Sequence, residues 1–333
     1  MERRAYVQRA GRHPPGRSGR ALLPLACLLA SAPSVASGDT GVADRTIVPG
    51  LMGYNALPTL PVADAKVEDD VRIELQVATQ VSDLAPARDA ALTPYVKLVL
   101  PFRGVAAFEV DAVPVELWRV SPETQARLGT PDGSGVAPGD VRVGARFTLL
   151  DEGALNPAVG FRFVVKTTSG KSFADRRFTD APGYVFDGLF AKTLPWGVGP
   201  FVAVRALAKL GVTVWQQGSH WQDDALDAGA ALQLRARGGS RLELEWRAYW
   251  GYEQYDRPAV LGLTYLHRAS RAVGLLATVN CGLTSDAPPW ELRVGIVLHF
   301  DARSIPVVGP ALAGPEPPAP AQGAVSRPDQ PRS

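Results

Sequence analysis

The sequence predicts an all-β protein, an antiparallel up-and-down transmembrane β-barrel of about twelve strands. Three observations carry the prediction. Apolar and non-apolar residues alternate with period two over many segments of about ten residues. The connections between those segments alternate between long and short. A basic and then apolar leader precedes them all.

Side chains along a strand point to opposite faces, so an apolar row of one parity must be buried against something. In "WELRVGIVLHF", Trp290, Leu292, Val294, Ile296, Leu298 and Phe300 oppose Glu291, Arg293, Gly295, Val297 and His299. In "RLELEWRAYWGYE", Leu242, Leu244, Trp246, Ala248, Trp250 and Tyr252 oppose Arg241, Glu243, Glu245, Arg247 and Tyr249. "DVRIELQVATQV" and "DVRVGARFTLL" behave alike.

Marking every such segment gives strands near 70–82, 93–101, 104–119, 139–151, 157–168, 183–192, 199–216, 224–236, 240–252, 258–268, 271–283 and 290–300. Most have the roughly ten residues that a tilted strand needs to cross a bilayer. Strands of soluble domains are nearer five or six. The 104–119 segment keeps its faces consistent only with a bulge near Val113 and Pro114.

Links after the odd segments are about 10, 19, 14, 7, 5 and 6 residues, and those after the even ones about 2, 5, 6, 3 and 2. Short turns on one rim and longer loops on the other are the pattern of an outer-membrane barrel. With the first strand rising, Tyr95, Tyr184, Trp250, Tyr252 and Trp290 are expected at the long-loop ends. Phe102, Phe190, Tyr265 and Phe300 are expected at the short-turn ends, so the two sets form girdles. Trp215 fits poorly, because Arg205 and Lys209 share its parity.

A sheet in lipid must satisfy every backbone polar group internally, which a closed barrel does. Its charged parity then lines the lumen: Arg72, Glu74, Lys97, Glu109, Asp111, Arg142, Arg146, Arg162, Lys166, Asp227, Arg235, Glu243, Glu245, Arg247, Glu291 and Arg293. The loop "KSFADRRFTDAPGY" adds Asp175, Arg176, Arg177 and Asp180 as candidates for an inward constriction whose paired charges set solute preference.

The flanks read differently. Arg3, Arg4, Arg9, Arg12, Arg17 and Arg20 precede "ALLPLACLLASAP" and "SVAS", which reads residues 1–37 as a cleaved export signal. Residues 38–68 read as an extended periplasmic segment, 69–300 as the barrel, and 301–333 as a disordered Pro/Ala-rich periplasmic tail. Without the first 37 residues the chain keeps 29 basic and 32 acidic residues, because six arginines and one glutamate leave with them. That near balance gives no reason to expect nucleic acid. Cys27 falls in the leader and Cys281 remains alone, so no internal disulfide is expected.

Candidate chemistries are weak. "TTSGKS" (167–172) ends like a phosphate-binding loop, but Val165 stands where that loop needs its first glycine. His220 with Asp223 and Asp224 resembles half of a protease rim without the second acidic pair. His267 and Ser270 lack the spacing and the Asn helper of a barrel phospholipase. No Cys/His spacing suits a metal, so no catalytic, metal or cofactor site is expected.

The terminal strand resembles the assembly signal of Gram-negative outer-membrane proteins, a final Phe preceded by apolar residues at every second position. "PVELW", "GDVRVGARFTLL", "KTTSGKSFADRRFTDAPGY" and "DRPAVLGLTYLHR" resemble a family of Gram-negative outer-membrane barrels, similar in style to the phenol-degradation (MetA-pathway) transporter barrels. The likeness covers about residues 45–300, and here about 33 residues follow Phe300. It implies a passive, non-enzymatic channel for small solutes in outer-membrane lipid, inserted by the barrel-assembly machinery through the strand ending at Phe300. A non-conducting structural barrel is the alternative, and a barrel-rim hydrolase a more distant one.

Overall fold

A computed structural model describes residues 47–81, 89–195, 197, 199–217, 222–253 and 255–301. The expected export signal, the tail after Asp301 and His220 lie outside the described residues.

Fourteen strands form one antiparallel sheet: β1 (Asp70–Val81), β2 (Ala90–Phe102), β3 (Ala106–Ala112), β4 (Glu116–Arg119), β5 (Ser134–Ala137), β6 (Val141–Leu150), β7 (Ala158–Lys166), β8 (Gly183–Leu194), β9 (Phe201–Gln216), β10 (Gln222–Ala236), β11 (Arg241–Gly251), β12 (Ala259–Arg268), β13 (Val273–Gly282) and β14 (Trp290–Asp301). β1 pairs with both β2 and β14, which closes the barrel. β4 and β5 are a short hairpin on the rim, so fourteen less two leaves twelve spanning strands. Closure leaves no spanning edge unpaired, as lipid requires.

The predicted bulge is where β3 stops. β3 faces Val96–Phe102 of β2, whereas β4 faces Ala90–Leu92, so three residues of β2 oppose the four residues 113–116. Pro114 has no N–H for the ladder, which suits it to this break. Gly139 lies against the same break: a Cβ there would come within 2.5 Å of the Val113 oxygen. The sequence reading missed the hairpin and the short helix α1 (Pro122–Leu128) between its strands. Its signals were nevertheless present. Ser121 accepts from the Thr124 N–H, Pro122 opens the helix, and Gly129 closes it at φ 65°.

Burial settles which face is which. Leu75, Val77, Leu210, Leu244, Leu263, Leu292, Val294 and Ile296 stand outward and exposed around the wall. Arg142, Arg146, Arg162, Asp187, Lys209, Asp227 and Glu291 are buried inside it. A soluble barrel has the reverse arrangement, and a belt of exposed apolar side chains this continuous demands an apolar solvent. Tyr184, Trp250 and Trp290 sit outward at the long-loop rim, and Phe102, Phe190, Tyr265 and Phe300 at the short-turn rim. Tyr95 corrects the expectation. It is 6% exposed and faces inward, on the parity of Lys97. Trp215 is likewise 1% exposed inside the barrel, which is why it shares the parity of Arg205 and Lys209.

Candidate functional site

The lumen holds the chain's own N-terminal strap. Residues 47–68 do not lie outside the barrel as an extended periplasmic arm; they run down its interior. Ile47 contacts Trp215 and Gln217 at the long-loop end of β9, while Val67 contacts Thr148 near the short-turn end of β6. The sequence "PTLPVADA" explains the placement. Two prolines keep it extended and remove two donors, so its carbonyls must find partners elsewhere.

The wall supplies those partners. The Tyr249 hydroxyl donates to the Pro58 oxygen at 2.6 Å, Lys209 Nζ to Leu60 at 2.8 Å and Arg162 Nη1 to Pro61 at 2.8 Å. Arg146 Nη1 donates to the Asp64 oxygen at 2.7 Å and Thr148 Oγ1 to Ala65 at 3.1 Å. The Val62 N–H donates to Glu245, and Arg247 Nε donates to Thr59 Oγ1 at 3.1 Å. Between these bonds the strap packs on small and apolar residues of the wall, with Val62 and Ala65 against Ala158, Leu189, Ala191, Leu207 and Ala231. Gly160 and Gly229 leave it room. A Cβ at Gly229 would come within 2.7 Å of Val62 Cγ2, and one at Gly160 within 2.8 Å of the Ala65 oxygen.

Nearer the long-loop rim a polar knot fixes the strap. Asn55 donates to Thr93 Oγ1 at 3.2 Å and to Glu116, and accepts from the Tyr95 hydroxyl and Gln80 Nε2. Glu116 is fully buried in the hairpin strand β4 and is gripped by Arg177 through Nε at 2.7 Å and through Nη2. A buried carboxylate is tolerable only when paired and hydrogen-bonded in this way.

The predicted constriction loop is therefore divided. Arg177 turns inward to Glu116, and the Arg176 carbonyl accepts the Gly53 N–H of the strap at 2.5 Å. Asp180 is exposed and Asp175 half-buried, and neither lines the main cavity. Lys166 binds the same loop through Thr179 Oγ1 at 2.6 Å and the Ala181 oxygen at 2.9 Å, and pairs with Asp140 before β6 at 3.0 Å.

Beside the strap remains a cavity of about 260 Å³. Of the residues expected in the lumen, all but Lys166 and Asp227 line it: Arg72, Glu74, Lys97, Glu109, Asp111, Arg142, Arg146, Arg162, Arg235, Glu243, Glu245, Arg247, Glu291 and Arg293. Most are paired. Arg146 bonds Glu109 at 3.0 Å, Arg142 bonds Asp111 at 2.8 Å, and Arg293 bonds Glu291 at 2.8 Å while lying 4.1 Å from the Tyr95 ring centroid. Glu291 also accepts from Gln80 and Asn280, each at 2.6 Å.

The rejected motifs have structural roles instead. Ser169 Oγ accepts the Val141 N–H and the Gly170 N–H donates to Asp140, so "TTSGKS" caps the start of β6. Ser270 Oγ accepts the N–H groups of Ala272 and Val273 in a tight turn, and His267 stands 3.4 Å from Ser240 Oγ. Among the described residues no group of His, Cys, Asp and Glu is arranged to hold a metal.

Comparison with solved structures supports the fold. An outer membrane channel from Pseudomonas putida F1 aligns at TM-score 0.52 and 13% identity, over 79% of this chain and 100% of that one. This likeness is one of fold alone. The KdgM porin in complex with disordered oligogalacturonate aligns at TM-score 0.44 and 8% identity, over 69% and 99% of the two chains. Outer membrane phospholipase A from Escherichia coli aligns at 0.34 and 14%, over 76% and 96%. No family model and no curated protein matches the sequence.

The sequence reading missed Asn55, Glu116, Asp64 and Glu68. Asn55, Asp64 and Glu68 lie on the strap, where no alternation marks a face, and Glu116 sits beyond the bulge that resets the parity.

Proposed function

We propose that the protein is an outer-membrane channel for small hydrophilic solutes, narrowed by its own N-terminal strap. One observation carries the reading: a closed barrel with an apolar outside encloses a charged cavity that runs beside the strap rather than being filled by it. Solutes cross by diffusion, and the paired charges of the free wall exchange hydrogen bonds with them. The Gram-negative outer membrane is the proposed location, reached through the export signal in residues 1–37, with Phe300 read by the assembly machinery. The strand ending there closes the barrel on β1, consistent with that role.

The strap favours a second reading, a non-conducting structural barrel, because its bonds to the wall are many. Planar-bilayer recording of the refolded chain separates the two. Small, stable single-channel steps in potassium chloride support the channel, and silence in every salt tested sinks it.

A further inference from the structure

The charges around the residual cavity are balanced only while the strap is in place. Nine acidic and nine basic side chains line it. Two of the acids, Asp64 and Glu68, belong to the strap, while all nine bases and the other seven acids belong to the barrel strands and their loops. The wall alone therefore carries two positive charges in excess.

The geometry shows what holds the two acids of the strap. Arg205 takes both oxygens of Asp64, with Nε 2.6 Å from Oδ2 and Nη2 2.7 Å from Oδ1. Arg235 Nη2 stands 3.5 Å from the same Oδ2, and Arg146 holds the Asp64 carbonyl. Glu68 Oε2 meets Arg72 Nη1 at 3.2 Å and feels the charges of Arg146, Arg235 and Arg241. Two further guanidiniums stand beside them: Arg241 Nε has no hydrogen-bond partner and lies 3.8 Å from Glu243 Oε2, and the Arg235 side chain is 40% exposed. A forked guanidinium grip on a carboxylate, with further arginines beside it, is the chemistry that recognises organic anions.

We infer that Arg72, Arg146, Arg205, Arg235 and Arg241 form a binding site for small dicarboxylates, occupied in this state by the chain's own Asp64 and Glu68. An entering dicarboxylate exchanges with the two internal carboxylates and frees the lower strap from the wall. The inference deepens the channel reading by naming its solute class, yet binding is measured without conduction.

The test uses the full refolded chain carrying Ala63→Cys in a Cys27→Ala/Cys281→Ala background, with a charged thiol reagent. Adipate is expected to speed labelling several-fold more than acetate or potassium chloride at equal ionic strength. Arg235→Gln, which alters a half-exposed side chain, is expected to weaken that effect while leaving the barrel folded. Equal acceleration by all three salts means screening alone and overturns the site. A second arm records the Asp64→Asn/Glu68→Gln double variant in a bilayer under a salt gradient. A reversal potential shifted toward that of chloride supports the site, and an unchanged one overturns it. If no variant conducts, the channel reading falls while the labelling result still decides the site.

Discussion

The two halves of the lumen wall solve the same problem in opposite ways. On β7 to β10 the inward positions alternate small or apolar residues with charge: Ala158, Gly160, Leu189, Ala191, Leu207, Gly229 and Ala231 stand among Arg162, Asp187, Lys209 and Asp227. That half cannot fill the lumen itself, and the strap packs into it. On β1, β2, β13 and β14 the inward positions carry Arg72, Glu74, Gln76, Gln80, Lys97, Asn280, Glu291 and Arg293, whose long polar chains pair mainly with one another. The difference teaches that charged parity alone does not predict open space. Short side chains invite a second layer, and long ones keep the remaining volume polar and wet.

Replacing residues 55–66 with a Gly/Ser run tests that contrast most severely. Single-channel conductance is expected to rise several-fold, because the small-residue half is then uncovered. Conductance equal to that of the unaltered chain would show that the strap does not limit passage.

A smaller effect comes from single side chains on the two halves. Gly229→Leu drives a side chain into Val62 and is expected to cost about 2–3 kcal/mol, as overpacking does. Thr278→Leu, on the free half, is expected to cost less than about 1 kcal/mol and to reduce conductance instead. Urea midpoints read from heat-modifiable gel mobility measure both. Equal destabilisation by the two changes would erase the proposed distinction.

Asn55→Ala sharpens the comparison at the knot that joins the halves. It leaves Arg177 on Glu116 but strips donors and acceptors from Gln80, Thr93 and Tyr95, at an expected cost of about 1–3 kcal/mol. Amide exchange in residues 53–57 should accelerate, while residues 64–67, held by Arg146, Arg205 and Thr148, keep their protection.

The smallest effect lies in the loop that meets the top of the strap, where the Gly50 N–H donates to the Tyr255 oxygen at 2.7 Å. Burial pushes the neighbouring Asp256 carboxyl up to about 6, and the charge of Asp223 adds to the rise against the hydrogen bond from the Glu253 N–H. Because the folded loop disfavours the ionised form, its stability is greatest below pH 4, where the unfolded group is also protonated, and falls as pH climbs through about 6. Amide exchange in residues 251–258, corrected for its intrinsic pH dependence, is expected to be slower at pH 5 than at pH 7.5. Asp256→Asn should flatten the difference; a persistent one assigns it to another group.

The alternation made the barrel legible at nearly every strand. β1, β11 and β14 lie within a residue or so of where their parity placed them, because lipid on one side and charge on the other leave no freedom in which face a residue takes. The same constraint sets fourteen of the sixteen charged residues of that parity against the cavity. Legibility failed where a second layer replaced lumen water. Val185, Leu189 and Ala191 of β8 are inward and apolar, which hides the inward Asp187 between them. It failed again at Tyr95, because an aromatic ring suits either an interface girdle or a stack on Arg293, and only the parity of Lys97 distinguishes them.

By itself, the sequence determined the closed sheet, most of its spanning strands and the sorting of their faces, since these follow from local periodicity and from the cost of an unpaired backbone in lipid. The tertiary structure alone decided what occupies the lumen. Residues 47–68 have no periodicity of their own. Their path is set by donors on β6, β7, β9 and β11, from Arg146 to Tyr249, which become neighbours only when the barrel closes.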